Sequence, residues 1–111
     1  MYKKRIMIDL DGVLNNYKYY DEDFIPEIKD GAKEFLHSLY DTGEYELFLF
    51  TTRNKILVAK WLIENNIDMF FKDITNIKEP AFVYLDDRAI QFSGNFTDAM
   101  NQITNFRVYW K

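Results

Sequence analysis

Hydrophobic and polar positions along the chain follow two kinds of pattern. Short continuous apolar runs, at residues 6–8 and 47–50, are typical of strands buried on both faces of a sheet. Other segments repeat apolar residues every three or four positions, as Ala32, Leu36 and Leu39 do, which predicts an amphipathic helix. The sequence predicts strands at residues 4–10, 47–50, 69–71, 81–85 and 107–109, and helices at 30–41, 54–64 and 97–104.

This order of strands and helices predicts the fold class. Continuous apolar strands that alternate with helices form parallel sheets with helices on both faces. We therefore expect an α/β fold, a three-layer α/β/α sandwich around a parallel, Rossmann-like sheet. With 111 residues, no repeat and no linker, the chain is expected to form a single domain over residues 1–111.

The composition limits the cellular compartments and the classes of binding partner to be expected. The net charge is −4 and the lysines and arginines are dispersed, which argues against duplex nucleic acid as the main partner. The chain has no cysteine, which excludes disulfides and thiolate metal sites. The first apolar stretch is cut short by Asp9, which is too early for a signal peptide, and no run reaches transmembrane length. We expect a cytoplasmic protein with no membrane partner.

Polar side chains that could bind a ligand or take part in catalysis follow the predicted strands. In open parallel sheets, ligands bind at the carboxyl ends of the strands. These residues are Asp9 and Asp11 after the first strand, Thr51 and Thr52 after the second, Asp86 and Asp87 after the strand at 81–85, and Lys78 before it. Each feature alone is also typical of an acidic turn or a helix cap. Four carboxylates at one edge, with hydroxyls and an ammonium, indicate a Mg²⁺-dependent phosphate site, because the metal offsets their repulsion and admits a phosphate dianion.

These residues resemble the motifs of the haloacid dehalogenase-like (HAD) phosphohydrolases, in the same order and over nearly the whole chain. The run at 9–14, Asp-Leu-Asp-Gly-Val-Leu, is similar to the first motif of that family. Thr51 is similar to the second motif and Lys78 to the third. The pair Asp86 and Asp87 is similar to the fourth.

The resemblance implies a Mg²⁺-dependent phosphatase that hydrolyses a phosphomonoester through an aspartyl-phosphate intermediate. Asp9 would be the nucleophile, and Asp11 would be the general acid on the leaving group and then the base for water. Thr51 would hydrogen-bond the phosphoryl oxygens, and Lys78 would neutralise charge on Asp9 and on the phosphate. The implied ligands of Mg²⁺ are Asp9, the backbone carbonyl of Asp11, and Asp86 or Asp87.

Some assignments have alternatives. Lys72 is an alternative to Lys78, and Thr52 is an alternative to Thr51. Arg53 either reaches the substrate or lies on the surface at the start of a helix. The alternative function is a non-catalytic phosphate- or metal-binding protein on the same fold. Such a protein would be recognised by the loss of Asp9 or Asp11, and both residues are present.

The segments where a cap domain would be inserted are short, with fewer than twenty residues between Gly12 and the first predicted helix. The resemblance therefore implies a capless enzyme with an open site, which suits a large phosphoester or is covered by a partner subunit in a homo-oligomer. The segment 15–24 carries Tyr17, Tyr19, Tyr20 and Phe24. These aromatic side chains either stack on a base or sugar or pack beneath the loop. A nucleotide or nucleic-acid phosphate end is thus a hypothesis for the substrate, although the acidic charge disfavours a long polynucleotide.

Overall fold

A computed structural model describes residues 2–111, which form a four-stranded parallel sheet and three α-helices. The elements are β1 (Lys4–Asp9), α1 (Ala32–Asp41), β2 (Tyr45–Phe50), α2 (Lys55–Glu64), a 3₁₀ turn (Asp68–Phe70), β3 (Phe71–Thr75), β4 (Val83–Leu85) and α3 (Phe96–Thr104). The strand order is β3-β2-β1-β4, and every neighbouring pair is parallel. The predicted Rossmann-like α/β class is confirmed.

Helices α1 and α2 lie on the same face of the sheet. The chain steps from β1 to β2 and on to β3 in one direction, so two right-handed crossovers put both helices on one side. The core of the protein forms between them and the sheet, where each fully buried aliphatic side chain contributes about 1.5–3 kcal/mol. Its members include Ile6, Ile8 and Leu10 from β1 and its end, Leu47 and Leu49 from β2, Leu36 from α1, and Val58 and Leu62 from α2.

The opposite face of the sheet carries a loop in place of a packed helix, and part of this face remains an open groove beside Met7, Asp9 and Phe50. The chain returns from β3 to β4 through residues 76–82, which contain no helix. Glu79 fixes this loop, because its carboxylate accepts a hydrogen bond from Arg5 at 2.9 Å and its N–H lies 3.4 Å from the sulfur of Met7. Helix α3 follows β4 and has no buried residue. Helix α3 is therefore an exposed helix beyond β4.

Side-chain caps explain where two of the helices begin. The Asn54 side chain accepts hydrogen bonds from the N–H groups of Ile56 and Leu57, which satisfies donors that the first turn of α2 leaves free. Asn95 does the same for α3. Six predicted elements, those at 4–10, 30–41, 47–50, 54–64, 81–85 and 97–104, agree with the structure to within two residues at each end.

The predicted strand at 69–71 is wrong in position. Asp68–Phe70 forms a 3₁₀ turn that buries Phe70 against the core, and β3 runs instead over Phe71–Thr75. Lys72 and Asp73 are exposed on this edge strand, so the sequence of β3 lacks the continuous apolar pattern of a central strand.

The predicted edge strand at 107–109 is also wrong, because these residues adopt no regular secondary structure. Val108 is buried, and the hydroxyl of Tyr109 donates a hydrogen bond to the carbonyl of Gly12 at 2.5 Å. The apolar residues therefore pack on the loop after β1 and do not pair with a strand. None of the helices within residues 2–111 has the length and apolar composition that crossing a bilayer requires.

Candidate active site

Three carboxylates meet at the carboxyl ends of β1 and β4. Asp9 is the last residue of β1, and Asp86 and Asp87 follow β4 directly. These ends are adjacent because Ile8 and Leu85 are partners in the parallel pairing of the two strands. Carboxylate oxygens of the three aspartates lie within 4.8 Å of one another. The structure thus brings together three of the four acids that the sequence placed at this edge.

Crowding of these carboxylates changes the protonation of Asp9. Burial raises the pKa of Asp9 to about 8, and a hydrogen bond with Asp87 and the charges of Asp86 and Asp87 act in the same direction. Only the backbone hydrogen bond at Leu10 opposes them. A divalent cation among these oxygens would favour the ionised carboxylates. The donor set fits a hard, oxygen-binding ion such as Mg²⁺, which binds through one or two carboxylates and keeps sites for phosphate.

The raised pKa predicts how the stability of the metal-free protein depends on pH. The folded-state pKa of Asp9, about 8, exceeds its model value of 3.8, so the folded state binds the proton more tightly. The corresponding stability is complete below pH 4 and is lost as the pH rises towards 8. After allowance for solvent screening, we expect a loss of about 1–2 kcal/mol between pH 6 and pH 8.5, measured by denaturant unfolding in EDTA.

If the three carboxylates hold Mg²⁺, a saturating concentration should reverse this loss at pH 8.5, because a bound cation would favour the ionised form. The variant Asp9→Asn should flatten the pH dependence in EDTA, since it removes the titrating group. A slope that persists in this variant would assign the pH dependence to another residue.

The C-terminal residues hold one side of the acidic cluster. The indole N–H of Trp110 donates to Oδ2 of Asp87 at 2.6 Å, and Tyr109 is bonded to the carbonyl of Gly12. Gly12 has φ +83°, and a Cβ on it would lie 2.8 Å from Cγ of Asp87 and 2.9 Å from Nε1 of Trp110. Glycine is therefore required where the loop, Asp87 and Trp110 approach each other. No sequence pattern connects Trp110 with Asp87, because they meet only through tertiary folding.

The carboxylate of Asp11 lies outside this cluster and is held by two donors. Arg53 Nε donates to Oδ2 of Asp11 at 2.8 Å, and Asn15 Nδ2 donates to Oδ1 at 3.0 Å. Asn15 also accepts a hydrogen bond from the N–H of Gly12, which ties the loop together. The side chain of Asp11 is thus oriented by Arg53 and Asn15, so any contribution of this residue to a metal would come from its backbone carbonyl.

Arg53 does not lie on the surface, which was one of the two positions considered from the sequence. Its side chain is only 1% exposed, and Nη1 donates to the carbonyl of Asp21 at 2.7 Å. A buried guanidinium needs hydrogen-bond acceptors, which Asp11 and the carbonyl of Asp21 supply. Its Nη2 atom is buried and has no hydrogen-bond partner within residues 2–111. The place of Arg53 directly after Thr51 and Thr52 was the only sign in the sequence that it lies near the predicted site.

The structure also shows where the predicted threonines and Lys78 lie. Thr51 is buried at the end of β2, and its hydroxyl accepts a hydrogen bond from the N–H of Arg53 at 3.2 Å, whereas Thr52 is exposed. Lys78 lines the same groove as Asp9, and its Nζ atom lies 4.7 Å from the centre of the Tyr84 ring.

The position of Lys72 distinguishes it from Lys78. Lys72 is the second residue of β3, and its Nζ atom pairs with Glu46 at 3.0 Å. Glu46 is the second residue of β2, so this pair lies at the amino ends of the parallel strands, away from Asp9. The geometry favours Lys78 as the lysine of the site.

The aromatic segment after β1 lies mainly on the surface. Tyr19, Tyr20 and Phe24 are 73%, 58% and 60% exposed, so they do not pack beneath the loop as core residues. Tyr20 contacts the guanidinium of Arg53, with Cζ 4.9 Å from the ring centre. Apart from one bridge pairing Asn15 with Ile28, the described residues between β1 and α1 form no helix or strand, so no cap domain is inserted there.

Comparison with known proteins establishes the fold. No protein-family model matches the chain, and no curated protein matches it. A solved structure described as a conserved protein from Bacteroides thetaiotaomicron has a TM-score of 0.61 and 18% sequence identity. The similarity covers 97% of this chain and 95% of that chain. Over nearly its whole length the protein therefore has the fold of that structure, a parallel α/β sheet of the Rossmann-like class.

Proposed function

We propose that the protein is a Mg²⁺-dependent phosphatase that hydrolyses a phosphomonoester through an aspartyl-phosphate. The observation that carries the proposal is the convergence of Asp9, Asp86 and Asp87 within 4.8 Å at the carboxyl edge of a parallel sheet. Three carboxylates at this distance repel one another unless a proton or a cation lies between them. A bound Mg²⁺ would remove that repulsion and polarise a phosphate oxygen. The resemblance of the strand-end residues to the HAD motifs supports the same chemistry.

We assign the residues the roles that their resemblance to the HAD motifs implies. An oxygen of Asp9 attacks phosphorus, and the ester oxygen leaves with a proton from Asp11. Water then attacks the aspartyl-phosphate while Asp11 takes its proton, which frees Asp9 and releases phosphate. Thr51 and Lys78 supply a hydroxyl and a positive charge for the phosphoryl oxygens, since phosphoryl transfer depends mainly on positioning and charge neutralisation.

The surroundings of Asp11 support a substrate with an aromatic or sugar group beside the phosphate. The exposed rings of Tyr19, Tyr20 and Phe24 follow the Asp11 loop, and Tyr20 is linked to Asp11 through Arg53. Rings of this kind stack on bases without sequence preference. We therefore propose a nucleotide or a nucleic-acid phosphate end as the substrate class. We also propose the cytoplasm as the compartment.

The proposal is tested by a phosphomonoester screen with the purified protein. We expect Mg²⁺-dependent release of phosphate from an aryl phosphate and from at least one nucleotide, and loss of this activity in EDTA. The alternative, a binding protein on the same fold, would bind Mg²⁺ and phosphate in calorimetry and show no turnover on any phosphoester. That second result would overturn the enzymatic proposal.

A separate prediction concerns Arg53 as a positioning residue for Asp11. The guanidinium of Arg53 donates one hydrogen bond to Asp11 and another to the carbonyl of Asp21. Lysine cannot make both in this geometry, so in Arg53→Lys the carboxyl of Asp11, the proposed proton donor, should lose its orientation. General acid catalysis contributes about 10²–10⁴-fold, and it matters most for poor leaving groups. We expect kcat/KM to fall roughly 10²-fold on an alkyl phosphate and less than about tenfold on a nitrophenyl phosphate.

The control for this experiment is Arg107→Lys, which changes an exposed arginine in the same way. It should leave both substrates unaffected. An equal loss on the two substrates in Arg53→Lys would show that Arg53 supports the fold or substrate binding and does not act through proton transfer.

A further inference from the structure

Helix α3 presents an apolar stripe that the other residues within 2–111 leave exposed. Phe96, Ala99, Met100 and Ile103 recur at the spacing of one helix face. Three of them, Phe96, Met100 and Ile103, are 82%, 64% and 63% exposed. Phe92 extends the stripe, since its ring centre lies 5.2 Å from that of Phe96. A nine-residue helix depends on tertiary packing of such a face for its stability, and here that packing is missing.

The edge of the sheet at β4 lacks cover in the same way. Phe82, Val83 and Leu85 line an open groove of about 710 Å³ and are 62%, 44% and 37% exposed. Val83 and Leu85 are in register with Ile6 and Ile8 of β1, which are 6% and 0% exposed. The covering helix that protects β1 therefore does not extend over β4.

Both ends of the segment that carries α3 are fixed at the acidic cluster. It begins at Asp86 and Asp87, and the residues after it return to bury Val108 and to bond Trp110 to Asp87. No residue of α3 lines the groove, although Phe92 just before it does. Within one chain, the apolar stripe of α3 therefore stays exposed, and no helix lies in the groove beside β4.

We propose that a second copy of this chain covers the groove, with α3 of each copy docked on the β4 edge of the other. A two-fold arrangement satisfies both surfaces at once, because each copy supplies one helix and one groove. The exposed apolar side chains of the stripe and of the β4 edge amount to at most roughly 800 Å² per copy, which is about one partner's share of a standard stable interface. The proposal rests on packing alone and holds whatever reaction the protein performs.

The dimer also changes the surroundings of the acidic cluster. Asp9, Asp86 and Lys78 line the same groove as the apolar residues of β4. Helix α3 of the partner therefore forms a wall beside the carboxylates, in a chain that has no cap domain of its own.

Sedimentation or light scattering of the full chain over a range of concentrations tests the proposal. We expect the wild type to have twice the mass of one chain, and Met100→Glu to weaken association at least about tenfold by placing a charge in the stripe. The matched control Asn101→Glu puts the same charge on the opposite face of α3 and should leave the dimer intact. Phe82→Glu should weaken the dimer from the groove side, whereas Ile56→Glu, at a residue 81% exposed on α2, should not. Circular dichroism confirms that each variant is folded.

Cross-linking distinguishes a second copy from a helix that folds back on its own groove. The chain has no cysteine, so Met100→Cys and Phe82→Cys can be placed singly and joined with a short bismaleimide. A mixture of the two single variants should give covalent dimers. A wild type that is monomeric at 100 µM, or a double variant that cross-links only within one chain, would overturn the proposal.

Discussion

Replacing Asp9 by Asn should abolish the proposed phosphatase activity and at the same time stabilise the metal-free protein at pH 8. The amide keeps the size of the side chain and cannot attack phosphorus, so we expect kcat to fall by roughly 10³-fold or more. The amide also removes one of three charges that lie within 4.8 Å of one another. Burial and the neighbouring charges of Asp86 and Asp87 raise the pKa of Asp9 to about 8, so the wild type is strained when this group is ionised.

The two effects are measured on the same preparation. Steady-state hydrolysis of an aryl phosphate with Mg²⁺ gives the first, and denaturant unfolding in EDTA at pH 8 should show a gain of about 1 kcal/mol for the second. Asp68→Asn is the matched control, because Asp68 is exposed in the 3₁₀ turn before β3, at the other end of the sheet. It should change neither activity nor stability. Activity that survives in Asp9→Asn would exclude Asp9 as the nucleophile.

The sequence predicted those parts of the fold that depend on local pattern. Residues 6–8 and 47–50 form central strands because their apolar runs have no alternative to burial on both faces, and Asn54 marks the start of α2 by its cap. The parallel order then placed Asp9 beside Asp86 and Asp87, because the ends of neighbouring parallel strands share one edge. A strand-end argument needs only the order of the elements, which explains why this part of the site was predicted.

Tertiary contacts could not be predicted in the same way. Arg53 is buried because it meets Asp11, 42 residues earlier in the chain, and nothing in its local sequence indicates burial. Trp110 lies 23 residues from its partner Asp87, and its neighbour Tyr109 bonds to Gly12 and forms no strand. The charged edge strand β3 and the exposed helix α3 also depend on what lies beside them. Local periodicity identifies an apolar face and does not identify its partner.

The geometry of the acidic cluster depends both on strand order and on tertiary contacts. Strand order brings the carboxylates of Asp9 and Asp87 together, whereas the C-terminal residues fix the orientation of Asp87 through Trp110. Gly12 is the point where both meet, since it lies directly after the Asp9–Asp11 run and against both Asp87 and Trp110. A change at Gly12 therefore disturbs the proposed metal ligands without removing any of them.

Gly12→Ala should cost about 2–5 kcal/mol of stability and weaken Mg²⁺ binding at least tenfold. The residue has φ +83°, which costs an L-amino acid about 1–2 kcal/mol. The added Cβ would also overlap Oδ2 of Asp87 and lie 2.9 Å from Nε1 of Trp110. Relief of this overlap requires the carboxylate of Asp87 to shift from its position in the cluster, and overpacking of this kind typically costs roughly a further 1–3 kcal/mol.

Gly31→Ala separates the two causes. Gly31 has φ +89°, nearly the same as Gly12, but a Cβ on it would meet nothing within 4 Å. It should lose only the backbone part, about 1–2 kcal/mol in denaturant unfolding, and keep the Mg²⁺ affinity of the wild type in calorimetry. Because the two glycines differ in their neighbours and hardly in φ, any difference in Mg²⁺ affinity reports the contact with Asp87. Equal affinities in Gly12→Ala and Gly31→Ala would show that the position of Asp87 does not determine metal binding.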